Sequence, residues 1–330
     1  MQPGKEHYIH DFEYVNASFQ PSKGEAMSLE NSRPRTATPE KPSRLANIRN
    51  VVLACAALAV TTPIAAPTTA QADTLVLVQG YLGHAGSFRM NGIVPILHQR
   101  GWVDAGHLHM GPDGRFHTAA PEPSGSNRLY TLELPTEAPV ALQAQVLSAS
   151  IAEIARRHPG EKIAVAAHSA GGVVARFAAV TNPDFGVSTL VTIASPHMGT
   201  STAEVGSMIG NSPLSWVTPF FGASTINRSQ VLYRDLWREG PGTMLGWLNR
   251  QPHPDLRYVA VIRTNDIRAP FAGDSVVTGW SQDMNAVPAL TGRAERIVTP
   301  GEHGLRTADA MLIADVLANE PTRTATASAQ

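Results

Sequence analysis

From residue 74 onward, short unbroken apolar runs alternate with longer stretches of helical spacing. The runs are Thr74 to Val78, Leu129 to Leu134, Lys162 to Ala167, Thr189 to Ala194, Arg257 to Ile262 and Glu295 to Val298. Runs with no polar alternate face fit strands buried on both sides of a parallel sheet. Between them, Arg89 to Arg100 carries apolar residues at Ile93, Ile96 and Leu97. Pro139 to His158 is amphipathic, with Leu142, Val146, Ile151 and Ile154 on one side, and Gly160 ends it. Further helices are expected over 171–180 and 308–318. Strand and helix in alternation predict an α/β domain, a mainly parallel sheet flanked by helices with right-handed crossovers. Residues 101–128 are rich in Gly, Pro and His and predict a loop excursion.

Residues 200–255 break the pattern. They hold Met208, Leu214, Trp216, Phe220, Phe221, Leu232, Leu236, Trp237, Met244, Leu245 and Trp247 with no clean period. An insertion this apolar between two core strands predicts a cap or lid over the strand ends, or a small core that stabilises only itself.

The N-terminal part differs in kind. Residues 1–45 are polar and rich in Ser, Pro, Thr and charge, which predicts disorder. Residues 46–72 read as a secretory signal: Arg44 and Arg49 precede the apolar run Val51 to Val60, and Ala70-Gln71-Ala72 supplies a cleavage site before Asp73. The run is short for a membrane span; the alternative is an uncleaved anchor. Met27 offers an alternative translation start. Cleavage removes the only cysteine, Cys55, so the mature chain has no thiol for a disulfide. The mature domain, 73–330, is expected to be secreted or periplasmic.

Composition narrows the partners. The chain has 330 residues, 43% of them apolar and only 16% charged. Residues 1–72 carry 7 basic and 6 acidic side chains, leaving 19 basic against 21 acidic in the mature domain. No basic excess points to nucleic acid.

The candidate chemistry centres on Ala167-His168-Ser169-Ala170-Gly171-Gly172, set between a buried strand and a helix. A serine on a sharp strand-to-helix turn projects its hydroxyl from the sheet edge, and small neighbours let strand and helix approach. A capping serine is the plainer alternative. The segment resembles the Ala-His-Ser-x-Gly-Gly elbow of bacterial secreted lipases and esterases in the α/β-hydrolase superfamily, with Ala167 in place of the usual first glycine. Ser195-Pro196-His197-Met198-Gly199-Thr200 resembles the Pro-His-x-Gly-Thr stretch of the same families. The resemblance spans about 74 to 318 and implies an α/β-hydrolase fold with Ser169 as nucleophile.

It also implies the remaining parts. The oxyanion N–H donors carry over to Ala170 and to Tyr81, in Gln79-Gly80-Tyr81-Leu82-Gly83, where Gln79 stands at the position of the family's histidine. The family order Ser, acid, His points to His303, just past the last strand, as general base. Asp274, in Gly273-Asp274-Ser275-Val276-Val277, is the expected acid, with Asp266 and Glu302 as competitors. His168 is expected to pack against or support the elbow, and His197 to lie near the site. His253 is expected to be a solvated loop residue. His84, His107, His109 and His117 match no zinc spacing and are likewise expected to be solvated loop histidines. Some similar lipases carry a structural calcium, for which no convincing site is found; no cofactor is expected.

These features together predict an exported lipase or esterase acting on small-molecule or lipid esters, with transient contact at a lipid interface. The alternatives are another acyl substrate (thioester, polyester or envelope lipid) and a non-catalytic hydrolase-fold binding module.

Overall fold

A computed structural model describes residues 74–119, 127–201 and 228–319. All of them fall in one compact unit, Ile64–Gln330. The N-terminal readings, and Met208, Leu214, Trp216, Phe220 and Phe221 of the insertion, lie outside the described residues.

Eight strands form one sheet: β1 Thr74–Val78, β2 Val103–Met110, β3 Phe116–Thr118, β4 Arg128–Leu132, β5 Ile163–His168, β6 Val187–Ile193, β7 Arg257–Thr264 and β8 Ala294–Pro300. Their spatial order is β3-β2-β4-β1-β5-β6-β7-β8. Every pairing is parallel except β2 with β3. Among the described residues the helices are α1 Ser87–Met90, α2 Ile93–Gln99, α3 Val140–Arg157, α4 Ala170–Thr181, α5 Gln230–Asp235, α6 Met244–Leu248, α7 Gly279–Gln282 and α8 Thr307–Ala318.

The period of two along each strand sorts side chains into two cores. In β1, Val76 and Val78 join Val165, Leu190, Leu147, Ile151 and Val174 on the α3–α4 face. Leu75 and Leu77 join Val191, Ile193, Val261, Ile93, Leu97 and Ile313 on the α2–α8 face. Covering both faces is why the central strands read as unbroken apolar runs. From β1 the chain runs to β2 and β4 on one side, then crosses to β5 and continues outward through β6, β7 and β8 on the other. The direction therefore reverses between β1 and β5, and such a reversal leaves a crevice at the carboxyl ends of the two strands.

Three expectations are corrected. Residues 101–128 hold β2 and β3, not only loop. The register shifts between Asp104 and His107, so the buried residues Ala105 and Leu108 fall three apart and the period-two signal is lost. The single helix expected over 89–100 is two, because Gly92 takes the left-handed conformation at φ 72°. In α3 the buried stripe is Val140, Ala144, Leu147, Ile151 and Ile154, while Leu142 is exposed and Val146 half-buried.

In the described part of the insertion, Leu232 of α5, Leu236 just after it, and Leu245 and Leu248 of α6 enter the same core as α3 and α4. Trp237 and Trp247 stay about half exposed.

Candidate active site

β1 and β5 end side by side at the crevice, and each delivers one loop to it. β5 ends at His168, and Ser169 follows with φ 54° and ψ −129°, a conformation disfavoured for any residue with a side chain. The N–H of Ser169 donates to the Ile193 carbonyl at 2.8 Å, which anchors the turn to β6. The small residues after it are required sterically. A Cβ on Gly171 would collide with the Gln79 carbonyl oxygen, and one on Gly172 would stand 2.7 Å from Ser195 Cβ. The loop after β1 packs against the serine itself: a Cβ on Gly80 would lie 2.7 Å from Ser169 Cβ.

His303 comes from the loop between β8 and α8. Its Nε2 lies 2.8 Å from Ser169 Oγ, and its Nδ1 lies 3.0 Å from Asp274 Oδ2. A carboxylate only accepts, so Nδ1 carries the proton and Nε2 presents its lone pair to the hydroxyl. Asp274 sits after β7 with its side chain fully buried. Its Oδ1 accepts from the N–H groups of Val276 and Val277, both at 2.7 Å, and Oδ2 also accepts from Gln282 Nε2 at 3.3 Å. Four donors thus satisfy a carboxyl group that would otherwise be costly to bury. Ser169 is itself buried, and the His303 side chain keeps 13% exposure. A hydroxyl, an imidazole and a carboxylate in this chain of contacts can pass the serine proton to Nε2 as the oxygen attacks.

The competing acids lie elsewhere. Asp266 is exposed and its Oδ1 accepts from the N–H of Arg268 at 2.9 Å. Glu302 is exposed, and its backbone carbonyl accepts from Arg263 Nη1 at 3.2 Å.

The expected anion donors belong to the loop after β1 and to the start of α4. Neither the N–H of Ala170, at the start of α4, nor that of Tyr81 finds an acceptor among the described residues. Ala170 follows Ser169 directly, and Tyr81 follows Gly80, the residue packed against Ser169. The Tyr81 hydroxyl meets the Tyr233 hydroxyl at 2.5 Å, with the rings edge-on at 5.5 Å, so the loop after β1 is tied to α5. Burial, reinforced by that hydrogen bond, raises the pKa of Tyr233. The Gln79 side chain is buried, and neither amide atom has a partner among the described residues.

The other histidines divide. His168 Nε2 contacts the His303 carbonyl at 2.8 Å, so it supports the loop of the base and not only the elbow. His197 is fully buried, with Nε2 3.0 Å from Thr192 Oγ1. His253, expected to be solvated, is buried and packs edge-on against Tyr258; a polar ring between two prolines resembled a loop tip, and the core beneath it was not legible. His107 and His109 lie half-buried on β2, and His117 is exposed on β3, with neighbouring ring centroids 5.1 and 5.9 Å apart. They are strand residues of the hairpin missed above; His84 alone is an exposed loop residue. Among the described residues, no three His, Cys, Asp or Glu side chains form a group that could hold a metal ion.

Sequence comparison with curated proteins found no match. Residues 132–239 match the family model described as "Putative serine esterase (DUF676)". Among solved structures, the propeptide form of the Bacillus licheniformis lipase BlEst2 aligns at TM-score 0.51 and 16% identity, over 78% of this chain and 52% of that one. The mature form of the same lipase aligns at TM-score 0.49 and 15% identity, over 78% and 95%. The lin2722 product of Listeria innocua aligns at TM-score 0.46 and 15% identity, over 75% and 89%. At these identities the likeness is one of fold.

The buried histidines make stability depend on pH. Burial first, then the nearby His303, lowers His168 from the ordinary 6.5 to about 3. Burial and then Arg176 lower His253 to about 4, and the same two causes lower His197. Below about pH 6.5 the unfolded chain takes up protons that the folded state refuses, so stability is complete above that pH and declines beneath it. Each such histidine contributes a slope of up to about 1.4 kcal/mol per pH unit. Urea midpoints are expected to fall steadily from pH 7 to pH 4.5; a flat profile over that window contradicts the assignment. The chain thus has the α/β-hydrolase fold, shared with the Bacillus licheniformis structure, and its residues 132–239 are similar to the putative serine esterase model.

Proposed function

We propose that this protein is an exported serine hydrolase that cleaves carboxylic esters through a covalent acyl-enzyme, with Ser169, His303 and Asp274 as its machinery. The observation that carries the reading is the unbroken contact chain from Ser169 Oγ to His303 Nε2 at 2.8 Å and from His303 Nδ1 to Asp274 Oδ2 at 3.0 Å. Ser169 Oγ attacks the ester carbonyl carbon as His303 Nε2 takes its proton. The carbonyl oxygen becomes an oxyanion facing the N–H groups of Ala170 and Tyr81. When the intermediate collapses, His303 returns the proton to the leaving alcohol and the acyl group stays on Ser169. Water, activated by the same imidazole, then releases the acid. Asp274 holds the Nδ1–H tautomer and offsets the charge of the imidazolium without taking the proton.

The substrate class is argued from the apolar insertion. Residues 200–255 are rich in Trp, Phe, Met and Leu, and both Trp237 and Trp247 leave about half their surface uncovered. An insertion of this composition suits acyl chains of medium to long length better than charged substrates. With p-nitrophenyl esters of increasing chain length, the rate is expected to rise from acetate toward the medium-chain esters. Ser169→Ala is expected to lower kcat at least about 10³-fold and Asp274→Asn roughly 10²- to 10⁴-fold. A steep preference for acetate removes the substrate class; Ser169→Ala at the wild-type rate removes the nucleophile.

Export rests on the sequence before Asp73. N-terminal sequencing of protein recovered from outside the cytoplasm is expected to read Asp73-Thr74-Leu75. Retention of the intact chain inside the cell contradicts it.

A further inference from the structure

The base stands on a segment with no ladder to hold it. Residues 301–306, between β8 and α8, have no regular structure, so their carbonyl groups must find donors elsewhere. One buried and one partly buried side chain supply them to three successive residues. Arg263 Nη1 lies 3.2 Å from the carbonyl oxygen of Glu302 and 3.5 Å from that of Gly304. Between them, the carbonyl oxygen of His303 lies 2.8 Å from His168 Nε2. A carbonyl only accepts, so His168 donates from Nε2 and is the tautomer protonated there.

The placement of this ring is specific. His168 is the last residue of β5, immediately before the nucleophile. Its ring centroid lies 5.2 Å from that of His303. On its other side is the loop after β1, where a Cβ on Gly80 would stand 3.4 Å from His168 Nδ1 and 3.0 Å from its carbonyl oxygen. One side chain therefore contacts the loop of the base and lies beside the loop of the oxyanion donor, and its own backbone leads into Ser169.

We propose that His168 is a positioning residue for the hydrolytic reaction: its Nε2–H, donated to the His303 carbonyl, fixes the backbone that aims His303 Nε2 at Ser169 Oγ. The inference rests on the ester-hydrolase reading of the site. Packing alone would be served as well by a phenyl ring; what only a donor supplies is the hold on the carbonyl. Burial also keeps the ring neutral, its pKa lowered to about 3, so no second cation stands beside the imidazolium that forms on His303 during turnover.

The test compares His168→Phe, which keeps a ring and loses the donor, with His168→Gln, whose amide nitrogen reaches about as far as Nε2. Both are measured in the full chain for ester kcat and KM and for the rate at which a fluorophosphonate probe labels Ser169. His168→Phe is expected to lower kcat and the labelling rate about 10- to 100-fold with KM little changed, as for a displaced reactive group. His168→Gln is expected to restore most of both rates. If the phenyl ring prevents folding, His168→Asn takes its place, since its shorter amide does not reach the carbonyl. Wild-type rates in the donor-free variant, equal losses in both variants, or a loss confined to KM overturn the proposal. A wild-type protein that the probe does not label overturns the hydrolase reading beneath it, a result distinct from failure of the variant series.

Discussion

The structure turns on one hydrogen bond, 2.8 Å between Ser169 Oγ and His303 Nε2, across 134 residues of sequence. Sheet order makes this contact demanding. Ser169 follows β5 and His303 follows β8, with β6 and β7 between them. Three strand spacings amount to about 14 Å. The loop after β8 must therefore lean back across the carboxyl edge of the sheet, and something must hold it there.

What holds it is largely buried and charged. Arg263, at the end of β7, pairs with Asp309 of α8, both almost completely buried. The other oxygen of Asp309 accepts the N–H of Arg306 at the start of α8, so the pair ties β7 to the helix that follows the base. Breaking a buried pair by removing one partner commonly costs about 3–5 kcal/mol, because the surviving charge stays unpaired. Gln282 accepts the N–H of Arg263 at 2.6 Å and donates to Asp274, linking β7 to the carboxylate that contacts His303. His168 completes the set from β5. The contact between Ser169 and His303 thus rests on side chains from two strands and two helices.

Much of this was legible in the sequence where local rules and the fold agree. The unbroken apolar runs marked the central strands because those strands are covered on both faces. Ser169 and its small neighbours were legible because a positive-φ turn with close backbone approach leaves few choices of residue. Asp274 was favoured over Asp266 by resemblance and by its loop after the penultimate strand; what separates them in space is that the turn after β7 folds Asp274 inward over the N–H groups of Val276 and Val277. Long-range features were not legible. β2 was missed because its register shift places Ala105 and Leu108 on the same side at a spacing of three. His253 was missed because burial of a loop depends on what the rest of the chain places above it. His168 was read as support for the elbow, but its partner lies 135 residues away.

The central claim is that Ser169 and His303 act as one unit, and a double-mutant cycle tests it most directly. The kcat for a p-nitrophenyl ester is measured for Ser169→Ala, His303→Ala and the pair together. The account predicts that the double variant is no slower than the slower single variant, since either change alone disables the same step. Losses that multiply, as for two independent sites, would contradict it.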